Sequence, residues 1–180
     1  MAGGSYRRMV WRISLNSSSV SYTLTSGKAT LKTNAMTTGP HTITATYSGS
    51  STLAASTSAT VTQTVNQAAT TVTLTSSNNP SIVGQTVALT AVVLPTSPGT
   101  GTPTGTVTFT IDGVAQAPIA LGSGSGKSVT FKTTTLTPGP HTITATYSGD
   151  PNYTTSTSTS LTQTVNATDS PIRINRLLRP

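Results

Sequence analysis

At 180 residues the chain has room for one domain of ordinary size and part of another, and it carries a formal net charge of +7 with no cysteine and no glutamate. The missing cysteines exclude disulfides and thiolate metal sites, and with only Asp112, Asp150 and Asp169 as acids no acid–base pair or metal triad is expected within one module. The positive charge does not imply nucleic acid: all six arginines (Arg7, Arg8, Arg12, Arg173, Arg176, Arg179) lie near the two ends, and between Ile13 and Asn166 four lysines face two aspartates, a balance of +2.

In chain order, residues 1–12 form an Arg-bearing segment. Ser5-Tyr6-Arg7-Arg8 resembles a twin-arginine signal, but residues 10–16 are too polar for the apolar segment such a signal requires. No signal peptide is therefore expected in this chain. No stretch approaches the length of a membrane span, so no membrane insertion is expected either.

Residues 13–66 read as a partial module because their latter half returns almost verbatim 100 positions later. Between 37–66 and 137–166, 20 of 30 positions are identical, including the unbroken run 39–49 against 139–149. A repeat of this period marks a tandem array. Residues 11–24 are expected to stand in for a hairpin at 109–121, and 28–32 for a strand at 127–132. Counterparts of 71–75 and 86–94 are absent from this first copy, so half of its domain is missing.

Residues 66–69 read as a linker, and 67–166 as one complete module. Thr71-Val72-Thr73-Leu74-Thr75 alternates at period two and stops at Asn78-Asn79-Pro80. Residues 86–94 are apolar on both parities, as in a central strand covered on two sides. Residues 95–105 form a Pro/Gly/Ser/Thr loop. Thr106–Ile111 puts Val107, Phe109 and Ile111 on one face and three threonines on the other. Asp112-Gly113 is a hairpin turn, followed by a weaker edge strand at 114–121 interrupted by Pro118. Strands at 128–132, 141–147 and 156–165 complete the module.

The fold class expected is all-β, a two-sheet sandwich. Its core is expected from Val72, Leu74, Val87, Leu89, Val107, Phe109, Ile111, Val129, Phe131, Leu136, Ile143, Ala145, Tyr147, Leu161 and Val165. Residues 167–180 form a basic tail outside the repeat.

The complete module resembles the bacterial immunoglobulin-like repeat domains strung in tandem in large secreted and cell-surface proteins. The features that carry the likeness are Thr70-Thr71-Val72-Thr73-Leu74, Pro80-Ser81-Ile82-Val83-Gly84-Gln85-Thr86-Val87, Pro103-Thr104-Gly105-Thr106-Val107-Thr108-Phe109 and Ile111-Asp112-Gly113. The run Gly139-Pro140-His141-Thr142-Ile143-Thr144-Ala145-Thr146-Tyr147-Ser148-Gly149-Asp150-Pro151-Asn152-Tyr153 closes the signature. The likeness covers 67–166 throughout and about 25–66 clearly. It implies an Ig-like β-sandwich and a non-enzymatic spacer, stalk or adhesive role, extracellular or at the cell surface in the parent protein. The partners it implies are neighbouring Ig-like modules of the same array, and surface glycans or proteins. Both ends depart from the repeat, so the chain reads as a fragment of such an array.

No catalytic, cofactor-binding or metal residue is expected. His41 and His141 occupy equivalent places a module apart and read as structural, and Asp112 reads as a turn residue. Asp150, in Gly-Asp-Pro-Asn, has the chemistry of a calcium-loop ligand, but the first copy has Ser50-Ser51 there. Residues 122–128, Gly-Ser-Gly-Ser-Gly-Lys-Ser, look like a phosphate loop, yet the required spacing lands on Leu121 and the segment leads into a strand. The Thr-x-Thr ladders offer surfaces for ice or glycans, and the simpler account is a β-branched solvent face. Expressed alone, residues 1–66 are expected to be unfolded or aggregated, whereas 67–166 should melt cooperatively.

Overall fold

A computed structural model describes residues 11–16, 18–22, 28–34, 36–122 and 127–168. The chain divides into two units, Met1–Gln67 and Ala68–Pro180.

The first unit holds one sheet. Its strands are β1 (Trp11–Leu15), β2 (Ser18–Tyr22), β3 (Gly39–Tyr47), β4 (Ser56–Thr57) and β5 (Val61–Val65). The order runs β2-β1-β3, and β4 and β5 both pair with β3. Directly opposed residues of antiparallel strands share a face. The pairs Trp11↔Tyr47, Ile13↔Ala45 and Leu15↔Ile43 therefore make an apolar face, with the rings of Trp11 and Tyr47 stacked at 5.2 Å. The pairs Arg12↔Thr46 and Ser14↔Thr44 make the opposite face polar. Strand β1 begins inside the 1–12 segment.

Hairpin β1–β2 does occupy the place of the second unit's equivalent hairpin. However, Trp11 sits opposite Tyr47 as Val107 sits opposite Tyr147, so the equivalence starts two residues earlier than the expected Trp11-to-Phe109 match. Among the described residues of this unit there is no second sheet. The expected strand at 28–32 does not form, although Ala29 and Leu31 are half-buried between exposed Lys28, Thr30 and Lys32.

The second unit explains that failure. Its strands are β6 (Thr70–Ser76), β7 (Ser81–Ile82), β8 (Val87–Pro95), β9 (Thr106–Ile111), β10 (Val114–Ala115), β11 (Ile119–Ala120), β12 (Ser128–Thr133), β13 (Gly139–Tyr147), β14 (Ser156–Thr157) and β15 (Leu161–Asn166). One sheet is β12-β8-β6. The other runs β10-β9-β13-β15-β7, with β11 also on β9 and β14 also on β13. Strand β12 pairs with β8 alone. Among the described residues, 28–32 find no counterpart of β8 to pair along; Lys28 makes a single β-bridge, and the rest has no ladder to satisfy its backbone.

The two sheets face one another as an Ig-like sandwich around a core in which Leu89, Phe109, Ile143, Ala145 and Tyr147 are fully buried. Of the expected core, Leu74, Ile111, Phe131 and Leu161 pack against it while only partly buried. Ala91, Val93, Leu121 and Tyr153 belong to it as well. The two-sided burial expected of 86–94 is not observed. Strand β8 alternates, with Val87, Leu89, Ala91 and Val93 buried against the core, Ala88, Thr90 and Val92 only half-buried and Leu94 exposed.

The single closing strand expected at 156–165 is split. The register steps by one residue between Thr146↔Thr157 and Ile143↔Leu161. At that bulge the Ser158 hydroxyl accepts the Ala145 N–H at 3.0 Å while the Ser158 N–H donates to the Ala145 carbonyl at 2.9 Å. Ser58 does the same to Ala45 in the first unit, at 3.0 and 2.9 Å.

Ala68 and Ala69 are not linker. The Ala68 N–H donates to Asn152 O (2.9 Å), its carbonyl accepts from Thr154 N–H (3.0 Å), and the Ala69 carbonyl accepts from Thr96 N–H (2.8 Å). The chain thus comes into this unit at the Tyr147 end of β13. It leaves β15 at the opposite end, where Val165 pairs with Gly139. Nine residues of β13 separate these poles by about 30 Å.

Candidate functional site

The hairpin turn after β9 needs positive φ at both its residues, 49° at Asp112 and 83° at Gly113, and Asp and Gly tolerate that conformation. The turn directs the Asp112 carboxylate over the start of β13. Oδ1 accepts the Thr142 N–H at 2.8 Å, and Oδ2 lies 2.6 Å from His141 Nδ1. The other ring nitrogen, Nε2, lies 2.7 Å from the Thr137 carbonyl oxygen.

A carbonyl oxygen only accepts, so Nε2 carries a proton, and an Nδ1 that donates to a carboxylate carries a second. The arrangement therefore fits an imidazolium. The Thr137 carbonyl first, and the Asp112 carboxylate next, hold the His141 pKa above the usual histidine value. The hydrogen bond from His141, then that from Thr142, lower the Asp112 pKa.

His141 is therefore not isolated within its module: it forms an ion pair with Asp112. The members of the pair lie 29 positions apart. The β9–β13 register that brings Ile111 opposite Ile143 also carries the next turn residue onto His141. Local spacing gave no sign of this.

The first unit builds the same clasp without charge. Asn16 takes φ 48°, its Oδ1 accepts the Thr42 N–H at 3.1 Å, and its Nδ2 lies 2.7 Å from His41 Nδ1. His41 Nε2 is 2.6 Å from Thr37 O. A neutral ring satisfies every one of these bonds, with Asn16 donating to Nδ1. In both units each ring nitrogen is occupied, so neither histidine offers the open nitrogen that a general base presents to a nucleophile. The clasps tie the start of a central strand to a turn.

Asp150 performs a similar service at the other pole. Its Oδ2 accepts from Thr104 N–H (2.8 Å) and Thr104 Oγ1 (2.7 Å), and its Oδ1 from Asn152 N–H (2.8 Å) and Tyr153 N–H (3.0 Å). These bonds from Thr104, Asn152 and Tyr153 outweigh burial and lower its pKa. Both carboxylate oxygens are engaged by protein donors, which is how an acid organises a loop without a cation. No group of three or more His, Cys, Asp or Glu side chains with metal-ligating geometry occurs among the described residues.

The Tyr153 hydroxyl donates to Thr100 O at 2.6 Å. Gly101, at φ 103°, leaves room for that hydroxyl, which any Cβ there would strike. The loops at 96–105 and 148–155, separate in sequence, are thereby joined into one surface. Burial first, and then the Asp150 charge, push the phenol of neighbouring Tyr147 far above its ordinary range.

The phosphate-loop look-alike lies mostly outside the described residues, at 123–126. Lys127 leads directly into β12, and its carbonyl accepts the Val93 N–H. The threonine ladders bond sideways, as in Thr90–Thr130 (3.0 Å) and Thr146–Thr157 (3.1 Å).

A family model for the bacterial Ig-like domain (group 3) matches residues 12–66 and again 74–166. The chain belongs to that family. The Ig-like fold of the second unit follows from this match together with its strand order. Among solved structures, this bacterial Ig-like chain aligns with fibronectin(III)-like modules of CbhA from Clostridium thermocellum at TM-score 0.38 and 17% identity, over 93% of this chain and 82% of that one. Dimeric latent PorU from Porphyromonas gingivalis aligns at TM-score 0.42 and 14% identity, over 92% of this chain and 17% of that one. No curated protein matches the chain.

Proposed function

We propose that this bacterial Ig-like chain is a non-enzymatic spacer of a cell-surface or secreted protein, supporting adhesion by setting reach, with like modules as its neighbours. The observation that carries the reading is the placement of the second unit's inlet and outlet at opposite poles of the sandwich. Modules joined pole to pole add their lengths, whereas modules whose ends lie together do not.

The outlet strand also favours load bearing. β15 pairs in parallel with β7 at Val165↔Ser81 and Asn166↔Ile82, and Asn79 bonds to both Thr162 O (2.7 Å) and Thr164 N (3.0 Å). Tension between the poles shears these bonds together instead of opening them one by one.

Pulling the chain by its ends tests the reading. Unfolding of the second unit should release roughly 30 nm of contour, as about 100 residues at ~3.5 Å each less the folded length require. Extension with no force peak would overturn the load-bearing part. A glycan or protein array should retain nothing. Retention that is lost on changing the 95–105 and 149–153 loops would make the chain an adhesive module instead.

A further inference from the structure

In the second unit the β6-β8-β12 sheet shares no strand pairing with the larger sheet. It adheres through side chains across the core. The first unit repeats the larger sheet register for register: Ile43↔Val61 answers Ile143↔Leu161, His41↔Gln63 answers His141↔Gln163, and Gly39↔Val65 answers Gly139↔Val165. What differs is the cover. Ile143 and Gln163 are 0% exposed, whereas Ile43 is half-buried, Gln63 is exposed and Val61 is 59% exposed.

We infer that this uncovered face of the first unit is a docking surface for the opening half of a like module, a polypeptide with the pattern of residues 70–95. Three observations specify that occupant. Gln163 is held by the crossing after β6: its Nε2 donates to Asn78 O at 2.8 Å and to Ser81 Oγ at 3.2 Å, and its Oε1 accepts from Ser76 Oγ at 2.6 Å. Gln63, in the same register, bonds among the described residues to the adjacent Thr64 carbonyl at 3.0 Å, so its amide is placed for the same partners. The outer edge of β15 is taken by β7, while β5 pairs, among the described residues, with β3 alone and presents the same edge for strand addition. Ala29 and Leu31 keep the in–out alternation of Val129 and Phe131, one strand short of a sheet.

Charge agrees as well. Residues 70–95 contain no ionisable side chain, and neither do Ile43, Ala45, Val61, Gln63 and Val65. A second copy of this chain is a poor donor, because surrendering β6 and β8 would open its own core.

The test uses the whole chain and a labelled synthetic peptide of residues 70–95. Saturable one-to-one binding is expected in fluorescence anisotropy, with amide exchange slowed about tenfold in β3 and β5 and unchanged in β13 and β15. Gln63→Ala in the chain should weaken binding roughly fivefold to tenfold, the worth of one or two net hydrogen bonds. A Leu89→Asp peptide should not bind, a control that leaves the chain's own folding untouched. Failure of the unaltered peptide to bind, equal binding by the Leu89→Asp peptide, or protection appearing in the second unit would each overturn the inference.

Discussion

Gln63 and Gln163 are the same residue at the same register position in two different surroundings, and truncating each to alanine isolates what the second sheet contributes. Gln163 is fully buried and bonded to Ser76, Asn78 and Ser81 across the sandwich. Removing its amide deletes about two net hydrogen bonds at ~1 kcal/mol each, leaves the Asn78 carbonyl short of a donor, and opens a small cavity. The sum is about 3 kcal/mol. For a unit near 100 residues, where each kcal/mol shifts Tm by about 4–8 °C, the second unit should melt roughly 15 °C lower. Gln63→Ala should shift the first unit's exchange or melting by less than ~0.5 kcal/mol, as an exposed position does. Calorimetry of the whole chain, with hydrogen exchange read separately in β5 and β15, distinguishes the two. Equal effects at both positions, or a Gln163→Ala cost under ~1 kcal/mol, would refute the idea that this glutamine bonds the two sheets together.

The His141–Asp112 clasp predicts a pH dependence of the second unit's stability. The raised His141 pKa gives stability that is fully present below the unfolded histidine value near 6.5 and is lost as pH rises through the folded value above it. The lowered Asp112 pKa gives stability present above about 3.8 and lost as pH falls through its folded value. The contribution therefore peaks in mildly acidic solution, and Asp112→Asn should flatten it. An NMR titration that places His141 at or below the ordinary histidine pKa would contradict this. Asp150→Ala should cost about 2 kcal/mol and raise exchange in both pole loops together, through loss of charge-assisted bonds, and millimolar calcium should leave the unaltered chain's Tm unchanged. A calcium-dependent rise in Tm would show the carboxylate to be a ligand. Gly101→Ala should destabilise by about 1–3 kcal/mol, from positive φ and the Tyr153 hydroxyl, whereas Gly113→Ala, with open space around it, should cost about 1 kcal/mol. Chemical denaturation ranks the two, and equal costs would refute the steric account.

Strand-level structure was readable wherever burial alternates. Thr106–Ile111 and Gly139–Tyr147 declare their inner and outer faces residue by residue, and their threonines and aliphatics fall where period two puts them. The reading failed where a tertiary partner decides. Residues 28–32 match the sequence of β12, yet strand formation depends on a β8 that the first unit lacks. The apolar outer positions of β8 imitate a doubly covered strand, yet they are half-buried or exposed while the inner ones are fully buried. A serine side chain at 158 replaces a backbone rung, which alternation does not reveal. The clasp was hidden for another reason: Asn16 and Asp112 do equivalent work with different chemistry, and their partners lie 25 and 29 residues away. Tyr153 escaped the core because a tyrosine in a Gly-Asp-Pro-Asn loop reads as exposed until its hydroxyl is seen anchoring Thr100.

The outward threonine rows leave the sheet faces polar through hydroxyl groups, some of them bonded in cross-strand pairs, with few ions among them. Dissolved salt screens charges, and such faces present little for it to screen. Their wetting and mutual indifference should persist from dilute water to brine, so that the module keeps its solubility without tuning its surface charge to the salt around it.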